Sequence, residues 1–217
     1  MKTILKLAAL LAVTAGAVNL RQTAKTLETL EHGVIRLHIL ADSDSLEDQT
    51  EKLLVRDALL GASADWLNGC EDAENCLAVL EQRLPEIERT AAEALRKNGS
   101  SDTVSASLGV TAFPARTYGS VTLPAGRYQS LTVQIGAGEG QNWWCVMYPA
   151  LCLPAALPAD KQHTLLSGAL PEDAVEMMQE PERYEIRLKC VDVCRSVAAW
   201  VTGRLAGVSS GLDRQSR

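Results

Sequence analysis

The stretch GVIRLHILADSDSLEDQTEKLLVRDALLGASADWL (33–67) decides the fold, because an apolar run passes through one acidic turn into a helical pattern. Its first part, 33–40, is rich in isoleucine and leucine and predicts a buried strand. Ser45, followed by Asp48, resembles a capping box and marks the start of a helix. One apolar face of that helix is predicted from a seven-residue repeat, formed by Leu46, Leu53, Leu60 and Leu67.

The rest of the chain predicts a second helical block and then strands. A helical period continues from about 74 to 97 through Leu77, Leu80, Leu84, Ile87, Ala91 and Leu95, and Pro85 predicts a kink or a new helix start. From 103 onward, alternating runs between turns predict an antiparallel meander of three strands, continued by a fourth at 143–148. We expect an irregular segment after 149, a short helix near 172–178, and a last segment that begins extended and becomes helical. The apolar face of this C-terminal helix is formed by Ile186, Val193, Val197, Trp200 and Val201.

The expected fold class is therefore α+β. It is a single domain with an N-terminal strand, a two-part amphipathic helical region, an antiparallel meander of about three or four strands and a C-terminal helix. This domain is predicted at 34–207, with a flexible tail at 208–217.

The N-terminus has the pattern of a secretory signal peptide. Lys2 and Lys6 are basic, an apolar run follows, and the small residues up to Ala17 suit a signal peptidase. We predict a signal peptide at 1–17, with retention as an uncleaved anchor as the alternative, and a linker or short helix at 18–33.

Charge and motifs argue against several classes of ligand. The formal net charge of -6 disfavours a nucleic-acid partner, which requires a basic face. Asp42, Asp44 and Asp48 do not fit a calcium loop, because Glu47 stands where glycine is needed. The glycine run at 136–140 precedes a strand-like segment, whereas a phosphate loop opens a helix. We therefore expect no metal, no cofactor and no small-molecule substrate.

The segment GEGQNWWCVMYPALC (138–152) concentrates tryptophan and cysteine. Cys145 and Cys152 can close a small loop as a disulfide, and the further disulfide candidates, with connectivity left open, are Cys70, Cys76, Cys190 and Cys194. The alternative is a nucleophilic Cys145 with His163 as its base. Trp143 and Trp144 point to opposite faces of a strand, so that one can serve as a partner contact, unless both are buried.

Three segments, 35–60, 113–152 and 184–193, resemble the stage II sporulation protein R family of endospore-forming bacteria. The resemblance implies a non-enzymatic signalling protein, secreted from the forespore into the intermembrane space. There it activates a membrane-embedded aspartic protease of the mother cell, which processes the sigma-E precursor. The partner-contact candidates are Trp143, Trp144, Tyr148, Pro149, Asp42, Asp44, Asp48, Arg56 and Asp57. The alternatives are an exported cysteine-dependent hydrolase acting on cell wall or peptide, and a structural envelope protein.

Overall fold

The computed structural model describes residues 2–150 and 159–212, and these form an α+β fold, as the sequence predicts. These residues divide into two compact units, the described part of 28–179 on the one hand and 2–27 with 180–212 on the other. In chain order the elements are α1 (Lys2–Gly33), β1 (Ile35–Leu40), α2 (Leu46–Trp66), α3 (Ala73–Lys97), β2 (Val104–Phe113), β3 (Arg116–Tyr118), β4 (Val121–Leu123), β5 (Gly126–Ile135), β6 (Asn142–Tyr148), α4 (Ala159–Ala169), α5 (Glu172–Gln179) and α6 (Pro181–Leu212).

The main sheet has the strand order β2-β5-β1-β6, and β3 pairs with β4 in a separate hairpin. Antiparallel pairing is confirmed for β2 with β5. The predicted meander order is corrected, because β1 lies between β5 and β6, parallel to the first and antiparallel to the second. The reason is burial: all but the last residue of β1 are buried, and a strand buried on both faces belongs in the middle of a sheet.

Helices α2 and α3 share a buried cluster with one face of this sheet, to which β1 contributes Ile35, Leu37 and Ile39. The prediction for α3 is confirmed, since its fully buried side chains include Leu80, Ile87, Ala91 and Leu95. The helix continues through Pro85 and does not start anew there.

The buried face of α2 differs from the predicted leucine repeat. Leu46 is 86% exposed and Leu53 is 36% exposed. The helix instead buries a row spaced three or four residues apart, which includes Val55, Leu59, Ser63 and Trp66. A seven-residue repeat drifts by about 20° per repeat on a straight α-helix, so the leucine row turns toward the core along α2: Leu60 is buried as predicted, whereas Leu46 and Leu53 are not. The predicted cap is confirmed, because the Ser45 side chain accepts a hydrogen bond from the Asp48 amide at 3.0 Å.

The opposite face of the sheet carries an aromatic layer around a buried arginine. Arg36 of β1 is fully buried. Its guanidinium carbon lies 4.0 Å from the ring centroid of Phe113 and 5.1 Å from that of Tyr128. Its Nη2 donates to the hydroxyl of Tyr118 at 2.9 Å, which ties the β3–β4 hairpin to the sheet.

The segment after β6 contains more helix than the sequence predicts. Helix α5 confirms the short helix expected near 172–178, but α4 occupies part of the predicted irregular segment. In α4 the buried Gln162 accepts hydrogen bonds from the amide and hydroxyl of Ser120, at 3.1 Å and 2.5 Å. A tertiary tether of this kind leaves no local signature in a sequence.

Helix α1 covers the predicted linker or short helix at 18–33, and α6 is helical from Pro181, so the predicted extended start is wrong. The predicted apolar face of α6 is also wrong: its members Ile186, Val193, Val197 and Trp200 are exposed. Helical periodicity shows that a helix has an apolar face, but it does not show whether another part of the protein packs against that face. Val201 lies outside the described side chains, and α6 includes the first part of the predicted tail at 208–217.

Within 2–150 and 159–212, no helix combines the length and apolar character needed to cross a membrane.

Candidate functional site

A groove of about 800 Å³ follows the β6 edge of the sheet, between helix α2 and strand β3. Trp143 and Trp144 both line it, although neighbouring residues of a strand point to opposite faces. The groove must therefore run along the strand edge and not over one face of the sheet. We call this feature the β6 groove.

Trp144 lies on the aromatic side of the sheet. Its ring is stacked on His38, with centroids 3.9 Å apart and planes 11° apart. Phe113 meets it edge to face at 4.7 Å. The ring is half-buried, so that two neighbours fix its orientation while part of it lines the groove.

Trp143 lies on the helix side and packs against the core cluster. The Arg56 guanidinium covers its ring at 4.6 Å, an arrangement that favours cation–π attraction. The indole nitrogen Nε1 is buried and has no hydrogen-bond partner within the described residues. The prediction that the two tryptophans face opposite sides is thus confirmed, and both rings are half-buried.

Cationic side chains line the groove on both walls: Lys52 and Arg56 from α2, and the exposed Arg116 from β3. Lys52 is 5% exposed, and its Nζ donates to the Gln141 carbonyl at 2.8 Å. Burial lowers the pKa of Lys52, and the nearby Asp44 opposes this shift. Arg56 pairs with Asp57 at 2.6 Å, the one carboxylate among the lining residues.

The predicted contacts Asp42 and Asp44 perform a structural task beside the groove. The Asp42 carboxylate accepts the Ala137 amide at 2.5 Å, and the Asp44 carboxylate accepts the Gln141 amide at 2.8 Å. The backbone carbonyl of Asp42 accepts the Glu139 amide at 3.0 Å. The turn after β1 therefore holds the loop that leads from β5 over the end of β1 to β6.

Asp48, Tyr148 and Pro149 are not among the residues that line the groove. Tyr148 donates to the Glu71 carbonyl at 2.9 Å, near the α2–α3 connection. Hydrogen bonds from Ser43 and Ser45 lower the pKa of Asp48. The structure therefore brings together four of the predicted contacts, which are Trp143, Trp144, Arg56 and Asp57.

One carboxylate cluster lies near the start of α2. Oxygen atoms of Asp48, Glu51 and Asp102 come within 4.8 Å of one another. Burial raises the pKa of Glu51, and a hydrogen bond from Ser100 opposes this shift. Serine partners thus already engage Asp48 and Glu51, so the cluster is explained without an ion.

Cys145 is buried on the helix side of β6 and is disulfide-bonded, whereas Cys152 lies outside the described residues. The pairing of these two cysteines stays a prediction. The sulfur of a hydrolase nucleophile would instead need to be a reactive thiolate. His163 lies on α4, with its Nε2 3.7 Å from Glu172.

The remaining four predicted disulfide candidates, Cys70, Cys76, Cys190 and Cys194, are free thiols. Cys70 and Cys76 are nevertheless neighbours in space. Burial, followed by a hydrogen bond with Cys70, raises the pKa of the Cys76 thiol. Cys190 and Cys194 are exposed on α6.

We expect oxidised glutathione to join Cys70 and Cys76 in a disulfide across the α2–α3 connection. Closing so short a loop should stabilise the protein by about 2 kcal/mol, because the unfolded chain loses conformational freedom. Intact-mass measurement after alkylation would count the protected thiols, and a thermal melt would give the stabilisation. A Cys70→Ser variant is the control. Full alkylation of both thiols after oxidation would contradict the expectation.

His38 is a buried histidine with one of its two ring nitrogens hydrogen-bonded. Burial lowers its pKa, against a hydrogen bond with Asn142 at 2.7 Å. With Nε2–H as the donor to Asn142, a proton on the buried and unpartnered Nδ1 would find no acceptor.

We therefore expect acid to destabilise the protein through His38. As the pH falls through about 6.5, His38 binds a proton in the unfolded chain but stays neutral in the folded protein. The free energy of unfolding therefore decreases. Thermal melts between about pH 7.5 and pH 5 should show a smaller decrease for His38→Phe than for the unchanged chain. Equal decreases in both proteins would show that His38 is not responsible.

Sequence reasoning missed the second wall of the groove. Arg116 and Tyr118 come from a short hairpin that has no functional signature, Gln141 lies in the loop between β5 and β6, and Asn142 is the first residue of β6. Lys52 and Gln49 belong to the segment 35–60 that carries the family resemblance, so this segment held the available signal.

Comparison with known proteins points to one family. A family model described as stage II sporulation protein R matches residues 31–157, which include every residue that lines the β6 groove. Stage II sporulation protein R of Bacillus subtilis (strain 168) is 39% identical over 118 residues, which cover 54% of this chain and 53% of that protein. The chain thus spans about half the length of the curated relative it matches. No solved structure matches the chain.

Proposed function

Because the chain belongs to the stage II sporulation protein R family, we propose that it is an exported signalling protein that activates a membrane-embedded aspartic protease during endospore formation. In this proposal it leaves the forespore and acts in the intermembrane space. The activated protease, here called the receptor, cleaves the sigma-E precursor in the mother cell. The protein itself is not an enzyme.

One observation supports a binding role above others. Within the family match, the structure gathers two half-buried tryptophans and three cationic side chains along one groove. Tryptophan and arginine are the residues that most often dominate the free energy of protein–protein binding. Their orientation is fixed before binding, since Trp144 is stacked on His38 and Arg56 covers Trp143. Less conformational entropy is then lost on association.

Activation requires that the protein bind the active state of the receptor more tightly than the inactive state. Moving a receptor from about 1% active to about 99% active needs a difference of roughly 5.5 kcal/mol between the two binding free energies. Two hot-spot residues that contact the active state alone, each contributing about 2 kcal/mol or more, supply most of this difference, and charge pairs made in that state supply the remainder.

The proposal is tested by reconstitution in non-sporulating cells. The receptor and the sigma-E precursor are expressed with this chain, without it, and with a variant that lacks residues 2–17. We expect cleavage of the precursor only with the complete chain, because the shortened variant is not exported. Cleavage without the chain, or equal cleavage by the shortened variant, would contradict the proposal.

A further inference from the structure

We propose that the β6 groove binds an extended, acidic segment of the receptor, which adds to the sheet as a further strand beside β6. This inference rests on the proposed function and names the chemistry of the partner that the groove recognises.

The first support is the position of β6. Among the described strands it pairs with β1 alone and forms one end of the order β2-β5-β1-β6. The edge of such a strand offers main-chain N–H and C=O groups to another extended chain. The groove lies along this edge, because side chains of both its faces, Trp143 and Trp144, line it. An incoming strand would therefore meet one tryptophan on each of its own faces.

The second support is charge. The chain as a whole has a formal net charge of -6. The groove is nevertheless lined by Lys52, Arg56 and Arg116 against the single carboxylate of Asp57, and Arg116 is the exposed one of the three cations. Behind this lining, the buried Arg36 guanidinium donates to Tyr118, which itself lines the groove. The local charge thus opposes the overall charge, and it complements a segment that carries carboxylates.

The third support is a set of buried donors without acceptors. Nε and Nη1 of Arg36 and Nε1 of Trp143 have no hydrogen-bond partner in the described part of the chain. Trp143 itself lines the groove, and Arg36 is joined to the lining through its hydrogen bond to Tyr118. Buried donors of this kind are costly unless an acceptor arrives, and a peptide supplies acceptors through its carbonyl and carboxylate oxygens.

The test uses short overlapping synthetic peptides that cover the extracytoplasmic segments of the receptor, with binding followed by tryptophan fluorescence. We expect the peptide that binds to carry acidic residues. Its affinity should fall with added salt, and exchange of its carboxylates for amides should weaken binding roughly tenfold or more. Arg116→Glu should weaken binding similarly, whereas Arg89→Glu, an exposed change on α3, should not.

Backbone N-methylation of the bound peptide tests strand addition directly. Only alternate amides of an added strand face β6, so we expect loss of binding at every second position. Hydrogen exchange should show new protection of those amides of 142–148 that point away from β1. A period of three to four positions would indicate a helix in the groove and overturn the proposal.

Other outcomes separate this inference from the function on which it rests. If no peptide protects β6 while the intact chain still triggers cleavage of the sigma-E precursor, the strand proposal fails and the signalling function stands. Protection of β6 in the isolated protein, together with the mass of a dimer, would assign the edge to a second copy and likewise overturn the proposal. Absence of cleavage with the intact chain would overturn both.

Discussion

Replacing Trp144 with alanine is expected to remove most of the activating function and leave a folded protein. The ring is stacked on His38 at 3.9 Å and touches Phe113 edge to face, so its orientation is set before any partner binds. A tryptophan hot spot contributes about 2 kcal/mol or more to binding. Its loss should lower the affinity for the receptor, and sigma-E precursor cleavage at limiting protein, roughly 30-fold.

Trp144 is a cleaner test than Trp143. The Trp143 ring packs against the core cluster shared by α2 and α3, so its truncation also removes apolar contacts that stabilise the fold. The ring of Trp144 instead lies in the aromatic layer, where Phe113 and Tyr128 remain on Arg36 after the change. We therefore expect Trp144→Ala to show the larger functional loss relative to its change in thermal stability.

Two further variants complete the Trp144 experiment. Trp144→Phe keeps an aromatic face against His38 and should retain part of the activity. Trp200→Ala removes an exposed tryptophan of α6, in the other unit of the chain, and should leave cleavage unchanged. Full activity of a folded Trp144→Ala protein would show that the β6 groove is not the surface that contacts the receptor.

The helices show which sequence patterns carry structural information. In α3 the apolar positions follow the 3.6-residue period, and four of the six predicted positions are fully buried. In α2 a regular leucine repeat misled the prediction, because the helix buries Glu51, Lys52 and Ser63 as well. Lys52 is buried since its Nζ reaches the Gln141 carbonyl, 89 residues further along the chain. No local pattern encodes a partner at that distance.

The order of the sheet was not predictable from the sequence. In β1 the apolar Ile35, Leu37 and Ile39 alternate with Arg36 and His38, a pattern typical of a strand with one buried face, whereas the structure buries both faces. The step from β5 to β6 could not be inferred, because a loop of glycines at 136–140 fits a tight hairpin equally well. In the structure this loop crosses the end of β1 and is held there by the turn at 41–44.

Some residues of the candidate site were also predictable from the sequence, and others were not. Trp143 and Trp144 stand out in the sequence, and strand geometry correctly places them on opposite faces. Arg36 is also visible as a charge within an apolar strand, although the sequence does not show what surrounds it. Arg116 and Tyr118 reach the groove through the fold of the β3–β4 hairpin, and only the three-dimensional structure reveals them.

Gly140 lies in the loop between β5 and β6, where there is no room for a side chain. We expect Gly140→Ala to destabilise the protein by about 3 kcal/mol. A Cβ at Gly140 would lie inside contact distance of the Ser43 backbone oxygen and 3.0 Å from the Cβ of Ala41. The loop must then move away from the turn. The Gly140 amide would lose its 2.9 Å hydrogen bond to the Ala41 carbonyl, and its two neighbours would lose theirs to Asp42 and Asp44. Each such bond contributes about 1 kcal/mol.

A thermal melt measures the effect of Gly140→Ala, which should lower Tm by roughly 6–12 °C for a chain of this size. Gly109→Ala is the matched control, because a Cβ on this exposed β2 residue meets no atom within 4 Å, and its Tm should stay equal or rise slightly.

Displacement of the loop would also release the Gln141 carbonyl from Lys52 and loosen the start of β6. Gly140→Ala should therefore weaken activation even well below its Tm, while Gly109→Ala should not. Equal melting temperatures for the two variants would show that the loop accommodates a side chain at Gly140, and that the turn at 41–44 does not fix the edge strand.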